Sequence, residues 1–163
     1  MTYSKAPHFV KAKHQVTTHT SIQTSSDSQG TEITLDGSVI EYTPHANANN
    51  VIYEIGFSAQ RVNDWTFQNF MLEYSTNGGA SWSDLGGKTS CTHGMSGQTG
   101  QAYRWFFHLR YVLEPWTGSR QWRIRIHTYA AGRKCDYHGL DSWDGASTST
   151  VFTDSSLIMY STL

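Results

Sequence analysis

Apolar and polar residues alternate in two stretches near the middle of the chain, YRWFFHLRYVL and QWRIRIHTYA, which are joined by a short turn. Every second residue from Tyr103 to Tyr111, and again from Trp122 to Ile126, is aromatic or aliphatic. Successive side chains of a β-strand point to opposite faces, so this period predicts two long strands. One face of each strand is directed to a core. The other face carries a cationic set, Arg104, Arg110, Arg123, Arg125 and His127.

The rest of the chain predicts further strands and almost no helix. Further strands are expected at 14–22, 51–60, 67–75 and 150–162. The Asp36-Gly37 dipeptide predicts a hairpin between short strands at 33–35 and 39–42. About eight to ten strands in total indicate an all-β fold, an antiparallel sandwich of two sheets.

Two segments are expected to lack regular structure. A long loop is expected at residues 86–100, GGKTSCTHGMSGQTG, and an irregular segment is expected at residues 131–148. The chain of 163 residues is of a size that fits one domain. We place that domain at 14–163, after a basic arm at 1–13.

Composition excludes several classes of function. Charged residues make up 15% of the chain, against about 25% in a typical soluble domain, and the formal net charge is −1. A general nucleic-acid binder would carry a positive excess, and no apolar run approaches the ~18 residues of a membrane span. The N-terminal residues also lack the apolar core of a secretory signal. We therefore expect neither nucleic acid nor a membrane as partner.

The cationic set has three interpretations that the sequence leaves open. It could bind an acidic ligand such as a sialylated or sulfated glycan. It could pair across strands with Glu54 and Glu73, which lie on the non-core faces of their own strands. It could also form a subunit interface, where arginine and aromatic residues are enriched.

Acidic and aromatic residues are close together in the irregular segment near the C-terminus. Aromatic rings beside carboxylates are typical of a carbohydrate-binding patch, and paired carboxylates can also catalyse glycoside hydrolysis. A structural role for the same residues is the third alternative. The chain has no Gly-x-Ser-x-Gly nucleophile elbow, so we expect no enzyme. The candidate glycan patch consists of Tyr137, Asp141, Trp143 and Asp144.

Two cysteines and two histidines form close pairs along the chain. They are Cys91 with His93, and Cys135 with His138. Four such ligands can complete a tetrahedral zinc site, but the spacing is not that of a standard zinc finger. A Cys91–Cys135 disulfide and two free thiols are the alternatives. We expect no cofactor.

The stretch STNGGASW at 75–82 resembles the Asp-box of sialidase propellers, with Asn77 at the aspartate position. A propeller needs repeated blades, and this motif occurs once. Asn77 and the following glycines suit a tight turn, over which Trp82 is expected to pack. We therefore predict a structural turn rather than a glycosidase.

The succession NNVIYEIGFSA, FMLEYSTNGGASWSDL, YRWFFHLRYVL, QWRIRIHTYA and SSLIMYSTL resembles a family of virion surface proteins of tailed bacteriophages over residues 38–163. These are small jelly-roll domains, similar in architecture to tumour-necrosis-factor-like trimers. They serve as head decoration or cement proteins, head fibres or fibre tips. The resemblance implies a jelly roll, a homotrimer and a position on the outer virion surface. It implies no catalytic residue.

The resemblance gives two functional expectations. The first is a non-enzymatic decoration or cement protein, with the major capsid protein or another virion protein as partner. The alternative is a module at a fibre tip that binds a host surface glycan. The basic arm, with Lys5, Lys11 and Lys13, would be either an anchor on an acidic capsid surface or an edge strand of a sheet.

Overall fold

The computed structural model describes residues 9–25, 31–61, 65–85, 90–96, 104–128, 131, 133–143 and 148–163. These residues contain fourteen strands and no helix. The strands are β1 Phe9–Thr17, β2 Gln23–Thr24, β3 Glu32–Thr34, β4 Ile40–Tyr42, β5 Asn50–Arg61, β6 Trp65–Ser75, β7 Ser83–Asp84, β8 Ser90–Ser96, β9 Arg104–Leu113, β10 Arg120–Thr128, β11 Cys135–Tyr137, β12 Gly139–Trp143, β13 Thr148–Phe152 and β14 Ser155–Thr162.

The strands form two antiparallel six-stranded sheets and one small hairpin. In the first sheet β1 pairs with β14, β14 pairs with β5, and β5 pairs with β9. β11 also pairs with β5 and, in turn, with β2. In the second sheet β10 pairs with β3, β4 and β6, and β6 pairs with β7 and β8. The hairpin consists of β12 and β13. The expected all-β architecture of two antiparallel sheets is confirmed.

A single apolar core lies between the two sheets, and the predicted alternation defines it. Along β5 the residues Val51, Tyr53, Ile55 and Phe57 are buried, as expected. On the other long strands the buried apolar residues include Phe70 and Leu72 of β6, Phe107 and Leu109 of β9, and Trp122, Ile124 and Ile126 of β10. The aromatic rings of Phe57, Phe70 and Phe107 meet in the centre of this cluster at centroid distances of 5.2 to 5.5 Å.

The two alternating stretches, β9 and β10, belong to different sheets. β9 pairs with β5 over ten residues, from Gln60–Arg104 to Val51–Leu113, whereas β10 pairs with β6. Residues 114–119 between them therefore cross from one sheet to the other. The apolar faces of both strands meet in the core, and their polar faces lie on opposite outer surfaces of the sandwich.

The prediction of a hairpin at Asp36-Gly37 is wrong. β3 and β4 both pair antiparallel with β10, in the registers Ile33–Ile126 and Ile40–Trp122, so they follow each other along one edge instead of pairing together. The intervening residues stay attached to β10, because Leu35 N donates to Ile124 O at 2.9 Å and Ile124 N donates to Ser38 Oγ at 3.1 Å. Gly37 takes a φ of 76°, a left-handed conformation that glycine adopts without steric cost, and this allows the tight turn between β3 and β4.

Strands also occupy segments that were expected to be irregular. β8 lies within the predicted loop at 86–100 and pairs with β6 from Trp65–Ser96 to Met71–Ser90. β11 and β12 lie within the segment 131–148. β11 has only three residues, and β8 consists mostly of serine, threonine and glycine, so neither shows a clear alternation of apolar and polar residues.

Part of the predicted arm is an edge strand of the first sheet. β1 pairs with β14 from Phe9–Thr162 to Thr17–Ser155, so the boundary placed between residues 13 and 14 falls inside a strand. The edge-strand interpretation holds for residues 9–13, and residues 1–8, including Lys5, lie outside the described residues.

Candidate interaction surfaces

The cationic set does not form one surface. Arg110 lies on the outer face of the first sheet, while Arg123, Arg125 and His127 lie on the outer face of the second. Arg104 begins β9, and its side chain lies outside the described residues. The two groups are separated by the whole thickness of the core, so a single ligand of ordinary size cannot contact both.

Ion pairs cover the arginines of the second sheet. Glu73 Oε2 accepts from Arg123 Nε at 2.9 Å, Arg125 Nε lies 3.0 Å from Glu73 Oε1, and the Glu73 side chain is only 5% exposed. Arg125 also binds Glu32 and lies 3.5 Å from Asp84. His127 Nδ1 is 3.4 Å from Glu32 Oε1. Intrachain pairing with Glu73, one of the three interpretations, is therefore what the structure contains on this face.

The pairing on this face perturbs the carboxylate of Glu32. Burial raises its pKa, but hydrogen bonds and charge from Arg125 and His127 outweigh burial and hold the pKa below its usual value. The carboxylate is therefore ionised at neutral pH. Its negative charge offsets the positive charge of Arg125, so little net positive charge is left to attract an acidic ligand.

The Asn77 motif forms the expected local turn on the same sheet. Asn77 Oδ1 accepts from Ser75 Oγ at 2.8 Å and from Ser81 N at 3.0 Å, which closes the loop between β6 and β7. Trp82 follows, and the Arg123 guanidinium lies 4.1 Å from its ring centroid. The motif's contacts in this structure are those of a turn, and its tryptophan supports the ion-pair network.

The outer face of the first sheet has a smaller polar centre. Glu54 lies opposite Arg110 in the ladder, and Arg110 Nε is 2.7 Å from its Oε1. The Tyr160 hydroxyl donates to the same oxygen at 3.2 Å, and His108 Nε2 is 4.0 Å from Oε2. Because the Arg110 side chain is 56% exposed, this pair is screened by water and stabilises the fold only weakly.

Exposed apolar side chains surround this polar centre. Phe106 is 74% exposed and Val112 is 63% exposed, and both share the outer face of β9 with Arg110. Val16 of β1, 54% exposed, lies on the same face two strands away from β5. Among the residues whose side-chain burial is described, no exposed large hydrophobic side chain belongs to a strand of the second sheet. The outer face of the first sheet is therefore the candidate interface.

Two lysines of the predicted arm contact the domain. Lys13 Nζ donates to Glu41 O at 3.0 Å, and Lys11 Nζ lies 5.7 Å from the Tyr42 ring centroid. Both line a cleft of ≈ 320 Å³ between β1 and β4. The charges of Lys11 and Lys13 thus lie at the rim of the sandwich, beside β4.

The candidate glycan patch needs one correction. Tyr137 is fully buried in the core, where its ring is 6.2 Å from that of Phe57, so it cannot stack on a sugar. The error arises because β11 has only three residues, and the sequence does not indicate which of them points inward. Asp141 and Trp143 belong to β12, but their side chains, like the whole of Asp144, lie outside the described residues.

The cysteine and histidine candidates do not form a described metal site. Cys135 is completely buried, and burial raises the pKa of its thiol well above the usual range. His138 is buried and stacks on His19. Cys91 and His93 lie in β8, and their side chains are outside the described residues. Where side chains are described, no three His, Cys, Asp or Glu residues form a group that could hold a metal ion.

A cleft that the sequence does not indicate lies at one end of the sandwich. It has a volume of ≈ 480 Å³ and is lined by Pro44, His45, Pro115 and Trp116, with small residues (alanine, glycine and threonine) around them. Trp116 packs on Trp122 at a centroid distance of 4.8 Å, and the Arg120 guanidinium is 5.2 Å from its ring. Only the EPW sequence before β10 could have suggested an aromatic wall at this point.

No protein-family model matches the chain, and no curated protein matches it. In the described part of the chain, no helix is long and apolar enough to cross a membrane. The geometry of the two outer faces is therefore what supports a functional proposal.

Proposed function

We propose that the sandwich is a jelly roll. The short strands β2, β11, β12 and β13 are set aside, β3 and β4 are counted as one strand position, and β7 and β8 are counted as another. Eight positions then follow in chain order, from β1 to β14. The first position pairs with the eighth, the second with the seventh, the third with the sixth and the fourth with the fifth. A long antiparallel ribbon wrapped into two sheets has this pairing, which supports the topology.

The proposed function is that of a structural protein on the outer surface of a bacteriophage particle, a trimeric decoration or cement protein without enzymatic activity. The observation that carries the proposal is the outer face of the first sheet, where Phe106, Val112 and Val16 remain exposed around a weak polar centre. Exposed apolar side chains concentrated on one face are typical of protein interfaces. The resemblance to phage virion proteins, together with the jelly-roll pairing, favours sister subunits as the molecules that cover it.

The mechanism of such a protein is mechanical. Apolar area buried between sister subunits would stabilise the trimer by about 25 cal/mol per Å². A trimer presents three copies of the N-terminal segment to the capsid, and the second and third contacts are intramolecular once the first has formed. The resulting avidity would slow release from the shell.

The test is cosedimentation of the purified protein with capsid shells that lack it, from the phage that encodes this chain. The expected result is saturable binding, with a fixed number of trimers bound to the outer surface of each shell. No binding to shells by a correctly folded protein would contradict the proposal. A variant that lacks residues 1–8 keeps β1 intact, so it separates anchoring from folding. Loss of binding with the oligomer unchanged would assign the anchor to those residues.

The second candidate is a glycan-binding module at a fibre tip, and the cleft lined by Trp116 favours it. An aromatic wall beside prolines offers a ring on which a sugar can stack. A glycan array tests this candidate, with Thr117→Arg as the blocking variant, because Thr117 lines the cleft and leaves the Trp116–Trp122 packing in place. Selective binding that the variant abolishes would support the fibre tip. An array without selective binding supports the decoration protein.

A further inference from the structure

Two histidines from distant parts of the chain stack face to face. His19 follows β1 by two residues, and His138 lies between β11 and β12. Their ring centroids are 3.6 Å apart and their planes differ by 3°. His138 is completely buried and has a φ of 68°, a left-handed conformation that costs free energy in a residue with a Cβ. The stack thus connects the end of the N-terminal strand to a strained, buried position.

The backbone of His138 is fixed, whereas its ring has no hydrogen-bond partner. His138 N donates to Ser58 O at 2.9 Å, and Thr153 N donates to His138 O at 2.8 Å. Neither Nδ1 nor Nε2 of its ring makes a hydrogen bond. His19 Nε2 is within 2.9 Å of Ser155 Oγ. A proton on the His138 ring would therefore create a buried cation whose N–H groups find no acceptor, which is strongly unfavourable.

The charges around the stack differ for its two members. Burial lowers the pKa of His19, while Asp36 and Asp154 oppose that effect. Burial, and then the neighbouring His19, lower the pKa of His138 to about 4. The uncharged Tyr137 ring is 6.4 Å from His138 on its other side. His19, which faces two carboxylates, takes up a proton before His138 does.

We propose that the His19–His138 stack is an acid-opened latch that holds the N-terminal edge strand β1 on the first sheet. At neutral pH both imidazoles are uncharged, and the stack fixes the segment that follows Thr17. Acid protonates His19 and then favours states in which His138 leaves its buried position. The segment that follows Thr17 is then released. β1, which pairs with β14 alone among the described strands, is no longer held at its C-terminal end.

The sign of the pH dependence follows from linkage. A histidine whose pKa is lower in the folded state than its usual ~6.5 binds fewer protons when folded than when released. Its stabilising contribution is complete above about pH 6.5 and is lost as the pH falls towards the folded value. The latch therefore opens between roughly pH 6.5 and 4. That range lies mostly above the pKa range of the carboxylates, whose loss of ion pairing is a separate event.

The experiment is amide hydrogen exchange at pH 7.0 and 5.0, with exchange times scaled for the intrinsic rate. The protection of the β1 peptide is compared with that of β10, an interior strand. In the wild type, acid should lower the β1 protection by about tenfold relative to β10. His138→Asn keeps a residue that tolerates the left-handed backbone. It should show reduced β1 protection already at pH 7.0 and no further loss in acid.

The control variant is His14→Gln, which removes an exposed histidine of β1 that is hydrogen-bonded to Ser156. It should keep the wild-type pH dependence. Unchanged β1 protection at pH 5.0, or equal losses in β1 and β10, would overturn the latch. An NMR titration of the wild-type imidazoles gives an independent answer that needs no variant, because a His138 that titrates at its ordinary pKa would also overturn it.

Discussion

The outer faces of the two sheets both carry arginine, but their surroundings differ. On the second sheet, the nearly buried Glu73 binds Arg123 and Arg125, and Trp82 stacks on the first of these. On the first sheet, the ion pair between Arg110 and Glu54 is open to water, because the Arg110 side chain is 56% exposed, and Phe106 and Val112 beside it are directed to solvent. Where side chains are described, the arginines of the second face find their partners within the single chain. The other face leaves apolar surface that a second molecule would cover.

This difference shows why a count of cationic residues is a poor guide to a binding surface. Arginines that are paired with a nearly buried carboxylate such as Glu73 are already neutralised, and displacing that partner would leave a buried charge without its counter-charge. The exposed apolar side chains of β9 carry no such penalty. The proposed interaction therefore lies on the first sheet, and each prediction below tests the contrast between the two faces.

The largest expected effect is at Glu73. Glu73→Gln leaves Arg123 and Arg125 without their buried counter-charge, and we expect the free energy of unfolding to fall by about 3 kcal/mol. Urea unfolding followed by tryptophan fluorescence measures it. Asp84→Asn is the matched control, because the Asp84 side chain is 39% exposed and its contact with Arg125 is longer, at 3.5 Å. Its expected cost is below about 0.5 kcal/mol. Equal effects of the two variants would mean that the second face is not a closed network.

The next effect concerns association rather than folding. Phe106→Asp places a charge on the exposed apolar face and should weaken self-association by about 2 kcal/mol, the cost of removing an interface hot spot. Because the side chain is 74% exposed in the single chain, the stability of the protomer should be unchanged. Sedimentation velocity over a concentration series measures the association. Val151→Asp on β13 is the control, since Val151 is 45% exposed but belongs to neither sheet. If Val151→Asp weakened association more than Phe106→Asp, the interface would lie elsewhere.

A smaller effect is expected at Trp82. Trp82→Ala removes the ring beneath the Arg123 guanidinium and should lower the free energy of unfolding by about 1 kcal/mol. Self-association should remain as in the wild type, because Trp82 contacts the network of the second sheet. Thermal unfolding and sedimentation of the same sample measure both quantities. Loss of association in this variant would mean that the second face also contributes to self-association. That result would weaken the distinction between the two faces.

The smallest effect is at Glu32 and depends on pH. The pKa of Glu32 is depressed in the folded state, so its contribution is present above its unfolded pKa of about 4 and is lost as the pH falls further. Glu32→Gln should cost less than about 1 kcal/mol at pH 7, because Glu32 is partly exposed. It should also flatten the decline of stability between pH 5 and 3. A variant with the same acid slope as the wild type would remove Glu32 from the network.

The period of two predicted which residues form the core, but not which strands are neighbours. Trp122, Ile124 and Ile126 are buried as expected, because alternation depends only on local geometry. Residues 114–119 are short enough for a hairpin and also for a crossing between sheets. Partner choice is decided by long-range packing, which a single sequence does not encode in any local pattern. The Asp36-Gly37 turn failed for the same reason, because β10 competes with the hairpin for both strands.

The candidate sites were less predictable than the fold. Pairing of Arg110 with Glu54 and of Arg123 with Glu73 was one of three open interpretations, and only the registers of β5, β6, β9 and β10 place these charges opposite each other. The burial of Tyr137 and the stacking of His138 on His19 have no sequence signal. Each depends on residues more than a hundred positions away, or on a strand of three residues.

The central claim, that the outer face of the first sheet is covered by sister subunits, is tested most directly by the mass of the protein in solution. Size-exclusion chromatography with light scattering at micromolar concentration should give three times the chain mass of 18.4 kDa. Phe106→Asp should shift the mass towards that of one chain. A wild-type protein that remains a monomer of 18.4 kDa at every concentration would contradict the account.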